Sequence, residues 1–172
     1  MKLGPTSEKF ILHWGEMGSH WGVNRSVAQI HALLYIIARP MNAEEIAETL
    51  DLARSNVSNS LRELQNWRLI TTVPIKGDRR DFYTTHDDVW TLFKIIVSER
   101  LRREIDPTLQ LLEDLSNSPE FQQEQELVRE RITATRDFVK VLTVWAREIL
   151  ELPAATLSRL LRLGAGIAKF IF

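Results

Sequence analysis

Between Pro40 and His86 the hydrophobic period of the chain changes from that of a helix to that of a strand, and this limits its folding options more than any other feature. Asn42 sits where a helix cap belongs, with Glu45 three residues later. Ile46 and Leu50 mark one face of a short helix, Ala43 to Leu50. The turn Asp51-Leu52-Ala53 leads into a second helix, Arg54 to Trp67, with Val57, Leu61 and Leu64 as its apolar stripe. The period then falls to two. Leu69 to Ile75 and Asp81 to His86 are short and rich in β-branched and aromatic residues. Lys76-Gly77-Asp78-Arg79-Arg80 separates them, which predicts a β-hairpin turning on Gly77-Asp78. Pro74 fits only an edge strand or a bulge. Helix, tight turn, helix and a hairpin with a basic tip is the order of a winged helix-turn-helix.

Helices are expected on both sides. Thr6 or Ser7 is a cap for a first helix running to about Trp21 and ending at Gly22. A second runs from Arg25 to Arg39, where Pro40 stops it. After Asp88 the chain reads as helix to its end, with Pro107 as a break or kink and Ser118 capping a long helix that has Pro119 at its first position. In that helix Phe138, Leu142, Trp145, Ile149 and Leu152 form a seam for another helix, and Pro153 ends it. Leu157, Leu160, Gly164, Ile167 and Ile171 share one face of the last segment, opposite Arg159, Arg162 and Lys169. Such a face can lie on a membrane surface, but the preceding seam favours packing against a partner helix. The expected fold is mainly α: an N-terminal dimerisation helix (1–24), a winged helix-turn-helix with a two-stranded β-wing (25–87), and a C-terminal helical dimerisation region (88–172).

The 172 residues include no cysteine, which excludes a disulfide scaffold and a zinc finger. Charged residues break every apolar run before it reaches the roughly 18 residues of a membrane span, so a cytoplasmic protein is expected. The net charge of -1 is not that of a typical DNA binder. Its distribution is. From Arg54 to Asp81, six basic residues face Glu63, Asp78 and Asp81, whereas the preceding helix carries Glu44, Glu45 and Glu48. The outer face of Arg54 to Trp67 presents Ser55, Asn59, Arg62 and Asn66, flanked by Asn56 and Ser58. These are poorer helix formers than the Lys and Glu of an ordinary solvated face, but they suit base edges. Asn pairs with adenine, Arg with guanine, and Ser with either base or phosphate. Candidate DNA contacts are Asn42, Arg54, Ser55, Asn56, Ser58, Asn59, Arg62, Lys76, Arg79 and Arg80, with Asp78 bracing a wing arginine. The bland alternative is a polar surface on a winged-helix protein-interaction module without DNA binding.

Leu50-Asp51-Leu52-Ala53-Arg54-Ser55-Asn56-Val57-Ser58-Asn59-Ser60-Leu61, followed by Asp78-Arg79-Arg80, resembles the MarR-type winged-helix regulators. Trp14-Gly15-Glu16 and Trp21-Gly22-Val23, running into Ala32-Leu33-Leu34-Tyr35, resemble the GbsR-like branch. The resemblance covers about Phe10 to Leu115. It implies a homodimer with N- and C-terminal helices forming the interface, and in that branch control of osmoprotectant genes, here as a repressor, with a choline-like effector. One recognition helix per chain and the apolar-striped helices at both ends predict a palindromic operator. Ala53 departs from the pattern, which carries a capping Ser or Thr there. That loss costs on the order of 1 kcal/mol.

Trp14, Trp21, Tyr35 and Trp90 are the candidates for binding a small organic cation, because aromatic faces attract quaternary ammonium groups. Plain core packing is the competing reading, and a regulator with no effector is the corresponding alternative. His13, Glu16 and His20 share a helix face, but their spacing alone is common and no metal site is expected. No phosphate loop, Gly-x-Ser-x-Gly or cysteine nucleophile is present, so neither enzyme activity nor a cofactor is expected.

Overall fold

The computed structural model describes residues 1–163. The chain forms two compact units, Met1–Ile95 and Ile96–Phe172.

In the first unit, α1 (Pro5–His20) begins with Pro5 in the first turn and Gly4 before it, without a side-chain cap. Proline already has helical φ and lacks one of the N–H groups a cap would satisfy, so neither Thr6 nor Ser7 is used as the cap. Gly22, at φ +76, turns the chain into α2 (Arg25–Ile37). Asn24 caps α2 by accepting from the Ser26 amide at 2.8 Å. Ala38 ends it in the left-handed conformation, slightly ahead of the expected boundary. The two helices meet through glycines. A Cβ on Gly18 would lie 2.5 Å from the Ala28 Cβ, and one on Gly15 would lie 2.6 Å from the Gln29 Cγ. Every residue of α2 from Ser26 to Leu34 is buried. Ile30, Leu33 and Leu34 form the centre of the core with Met41, Ile46, Val57, Leu61 and Leu64.

Around this core stand β1 (Met41–Asn42), α3 (Ala43–Leu50), α4 (Arg54–Asn66), β2 (Ile70–Val73) and β3 (Phe82–Thr85). The hairpin has the expected place, and the sheet gains a third strand, in the order β1-β3-β2. Met41 pairs with Tyr83 and Asn42 with Phe82. β2 is therefore an edge strand, and Pro74 follows it directly. The hairpin turn closes through the Asp78 amide donating to the Ile75 carbonyl at 3.1 Å. Lys76 and Gly77 are thus its central residues, one position earlier than expected, and Gly77 takes the φ of +88 such a turn requires.

His31 joins α2 to the sheet. Its Nε2 is 3.2 Å from the Thr85 hydroxyl, which itself donates to the Leu69 carbonyl at 2.7 Å. The hydroxyl proton is therefore in use, so His31 must carry its proton on Nε2. Burial, and secondarily the charge of His86, push the His31 pKa down to about 4.

α5 (Val89–Arg100) is capped by Asp88, whose carboxylate accepts from the Thr91 amide at 2.8 Å. It continues into a π-helical turn, Leu101–Ile105, and then α6 (Asp106–Ser116). Pro107 explains the turn. Its ring would collide with the carbonyl four residues back, and it has no N–H to offer that carbonyl. The wider turn accommodates it, with the Asp106 amide reaching back to the Leu101 carbonyl. Within the turn Arg102 and Arg103 donate to the buried Glu99 carboxylate at 2.6 and 3.0 Å.

Ser118 does act as a cap, accepting from the Phe121 amide at 3.2 Å, but only for the short 3₁₀ turn Glu120–Gln123. The long helix α7 (Glu126–Glu151) starts later than the sequence suggests, and α8 (Ala154–Leu163) follows Pro153. Lys140 to Glu113 (3.1 Å) and Arg147 to Asp106 (2.7 Å) tie α7 to α6. The expected seam does not face this contact. Thr143 is the buried residue of α7, while Phe138 is 67% exposed and Trp145 58%. On α8 Leu157 is buried and Leu160 half-buried, whereas Gly164, Ile167, Lys169 and Ile171 lie outside the described residues. Among the described residues no helix is long and apolar enough to cross a membrane.

Candidate nucleic-acid interface

α3 and α4 are the two helices of the motif, and α4 is the one whose polar face is exposed. Asn42 caps α3 by accepting from the Glu45 amide at 3.0 Å. The reciprocal half of the capping box is absent, because Glu45 pairs with Arg39 instead. α4 starts at Ala53 without a side-chain cap, as the departure at this position implied.

Val57, Leu61 and Leu64 are buried, which turns Ser55, Ser58, Asn59 and Arg62 outward, all exposed. Arg62 donates to the Asn59 side chain at 3.5 Å. Two candidates are engaged internally. Asn56 donates to Ser26 on α2 at 2.8 Å, and its oxygen is 3.4 Å from the Ser60 hydroxyl. Asn42 is 7% exposed, with its oxygen used as a cap. These two amides position α4 and α3. Gln65, which the sequence did not single out, donates to Thr72 on β2 at 3.0 Å and ties the end of α4 to the wing.

At the wing, Arg80 is held by Asp78 through its backbone amide (2.9 Å), its Nε (3.0 Å) and its Nη2 (2.6 Å). The Arg80 guanidinium in turn holds the Asp78 carboxyl down to about 2. It also lies 5.7 Å over the Phe82 ring. Glu44, at the start of α3, pairs with both Arg80 (3.3 Å) and Arg54 (3.0 Å). One carboxylate thereby links the first residue of α4 to the wing. The sequence marked Glu44 only as part of an acidic helix start, which the helix dipole favours on its own. Lys76 and Arg79 are exposed and have no ion-pair partner among the described residues. The surface thus offers two unpaired cations at the wing, one braced arginine, and short polar side chains along α4.

The aromatic candidates are more dispersed. Trp14 is 38% exposed and stacks on Phe10 at 5.5 Å, while Trp90 meets Phe93 edge-on at 6.3 Å. Trp21 is exposed and Tyr35 half-buried. Of the polar trio on α1, Glu16 reaches Arg25 at 4.0 Å, and no group of three His, Asp or Glu among the described residues is placed to hold a metal.

The chain is 21% identical over 138 residues to the Bacillus subtilis (strain 168) protein named "Putative HTH-type transcriptional regulator YvaV", covering 80% of this chain and 78% of that protein. It superimposes on a crystal structure described as a transcriptional regulator with a TM-score of 0.69 at 19% identity, over 85% of this chain and 96% of the other. This supports the fold. The Staphylococcus aureus MepR–DNA complex gives a TM-score of 0.39 at 20% identity, covering 81% and 93%, too low to transfer detail. Residues 21–81, the segment from Trp21 to Asp81 that carries the helix-turn-helix and the wing, match the MarR family model.

Proposed function

We propose that this protein is a sequence-specific, duplex-DNA-binding transcriptional regulator of the MarR type, acting in the cytoplasm without catalysis. One observation carries the reading. The outward face of α4 holds Ser55, Ser58, Asn59 and Arg62 in the open, beside a hairpin tip where Lys76 and Arg79 are exposed. Short polar side chains can reach base edges in a major groove, and the wing cations can grip phosphate or enter the minor groove. Match to the MarR family over residues 21–81 and the name of the B. subtilis relative point the same way.

A homodimer reading a palindrome follows from one recognition helix per chain and from the exposed Phe138, Val141 and Trp145 on α7. Residues 1–24 and 88–172 would supply its dimerisation helices. Half-site centres then lie about one helical turn, roughly 10 bp, apart. Selection of bound sequences from random duplex DNA tests the reading. The expected outcome is a dyad-symmetric motif, in which Asn59→Ala relaxes particular base positions while Arg79→Ala weakens all sequences and lowers the salt slope by about one. No enrichment of any sequence would leave a protein-interaction module in its place.

Repression of osmoprotectant genes with a choline-like effector rests on the GbsR-like resemblance and on the partly exposed Trp14 and Trp21. Tryptophan fluorescence titrated with choline, alongside a DNA shift assay, decides it. Unchanged signals in both at millimolar ligand would remove the effector at Trp14, Trp21, Tyr35 and Trp90.

A further inference from the structure

The N-terminal segment, α1, α2 and the end of α3 surround a cavity of about 340 Å³. Leu3, Ile11, Leu12 and Leu50 give it apolar walls, and Thr49 and Gln29 give it polar ones. None of the four aromatic effector candidates lines it. Gln29 is the unusual member. It is 9% exposed, yet its amide forms no hydrogen bond among the described residues. Buried polar groups are nearly always paired, so the exception needs a physical reason. Its amide is not sealed in protein either. Among the described residues, the fully enclosed side-chain polar atom without a partner is Arg129 Nε, so the Gln29 amide opens on the cavity it lines. The stem is fixed as well. Gly15 lacks the Cβ that would lie 2.6 Å from Gln29 Cγ and 3.1 Å from Cδ, so α1 is cut away where the side chain passes.

We propose that this cavity binds a small molecule carrying a cis-amide edge, an N–H donor beside a C=O acceptor, on an apolar body. A primary amide presents the complementary pair and can form two parallel hydrogen bonds with such an edge. The leucine and isoleucine walls take the apolar body. Lys2 and Glu8, also on the wall, carry opposite charges, and the Met1 ammonium donates to the Thr49 hydroxyl at 3.5 Å. Occupancy touches the helix-turn-helix directly, since Thr49 and Leu50 end α3 and Glu44 lies near its start.

The test uses the full, isotopically labelled chain without DNA, titrated with ε-caprolactam and separately with N-methylcaprolactam. The two share a shape, but only the first has the N–H donor. Saturable shifts of the Gln29 side-chain NH₂ and the Thr49 amide are expected with caprolactam. The N-methyl compound should bind about fivefold more weakly, the effect of one lost hydrogen bond. Gln29→Met should erase the preference. If the Gln29 signal stays still up to the solubility limit, or both lactams bind the native chain equally, the proposal is overturned, whether or not the variant folds. Because no DNA is present, that result would not bear on the proposed function.

Discussion

α2 and α7 are both amphipathic in sequence, and they end in opposite situations. Nine consecutive residues of α2 are buried, so the helix is enclosed on all sides within its own unit. α7 is twice as long, with Thr143 as its buried residue and Phe138, Val141, Leu142, Val144 and Trp145 in the open. Apolar side chains of this size in one patch mark an interaction surface rather than a core. The first helix is complete within its unit. The second keeps an apolar face exposed among the described residues.

The largest expected effect breaks the finished side. Leu33 is fully buried, so Leu33→Ala should cost about 2–5 kcal/mol in urea unfolding, through lost transfer energy and the cavity left behind. A cost below about 1 kcal/mol would mean that α2 is not the keystone of its unit.

Acid should act on the same helix. The folded pKa of His31, about 4, lies below its ordinary 6.5, so between these values the unfolded chain binds a proton that the folded chain refuses. Stability is therefore full above pH 6.5, falls by about 3 kcal/mol as the pH drops towards 4, and levels off below. His31→Gln should flatten that slope in pH-dependent thermal melts. An unchanged slope would assign the acid sensitivity to other groups.

Trp145→Lys should reverse the pattern. Unfolding of the dilute chain should change by less than about 0.5 kcal/mol, while self-association weakens by about 2 kcal/mol, the burial of one large side chain. Sedimentation velocity across a concentration series checks this. Unaltered association would show that the α7 face is not where copies meet.

The smallest effect returns to the first unit. Ala53→Ser gives α4 the cap it lacks and should raise stability by about 1 kcal/mol in thermal melts. No gain would indicate that the α4 N-terminus is already satisfied.

What was legible in the sequence follows the same contrast. α3 and α4 were readable because their signals are local: Asn42 as a cap, and Val57, Leu61 and Leu64 at helical spacing. β1 was not, since two residues carry no period and the strand exists only through backbone pairing of Met41 and Asn42 with β3. The inward role of Asn56 was hidden for a related reason. An amide looks alike in sequence whether it faces a groove or, as Asn56 does, Ser26. In α7 the visible stripe is the exposed one, while the packed side uses Thr143 and the ion pairs of Lys140 and Arg147 with α6, which no apolar pattern announces. Ser118 misled because a cap reports that some helical turn begins, not its length.

The close meeting of α1 and α2 also bears on how this sequence can drift. With only 2.5 Å available between a Cβ on Gly18 and the methyl of Ala28, the two positions share a fixed volume. With the helices held where they are, residue 18 can enlarge only after residue 28 has shrunk to glycine, so the route that keeps this packing runs through Ala28→Gly first and Gly18→Ala second. In related chains the two sites should trade size as a pair, and any substitution history that enlarges both at once should be one that has also moved the helices apart.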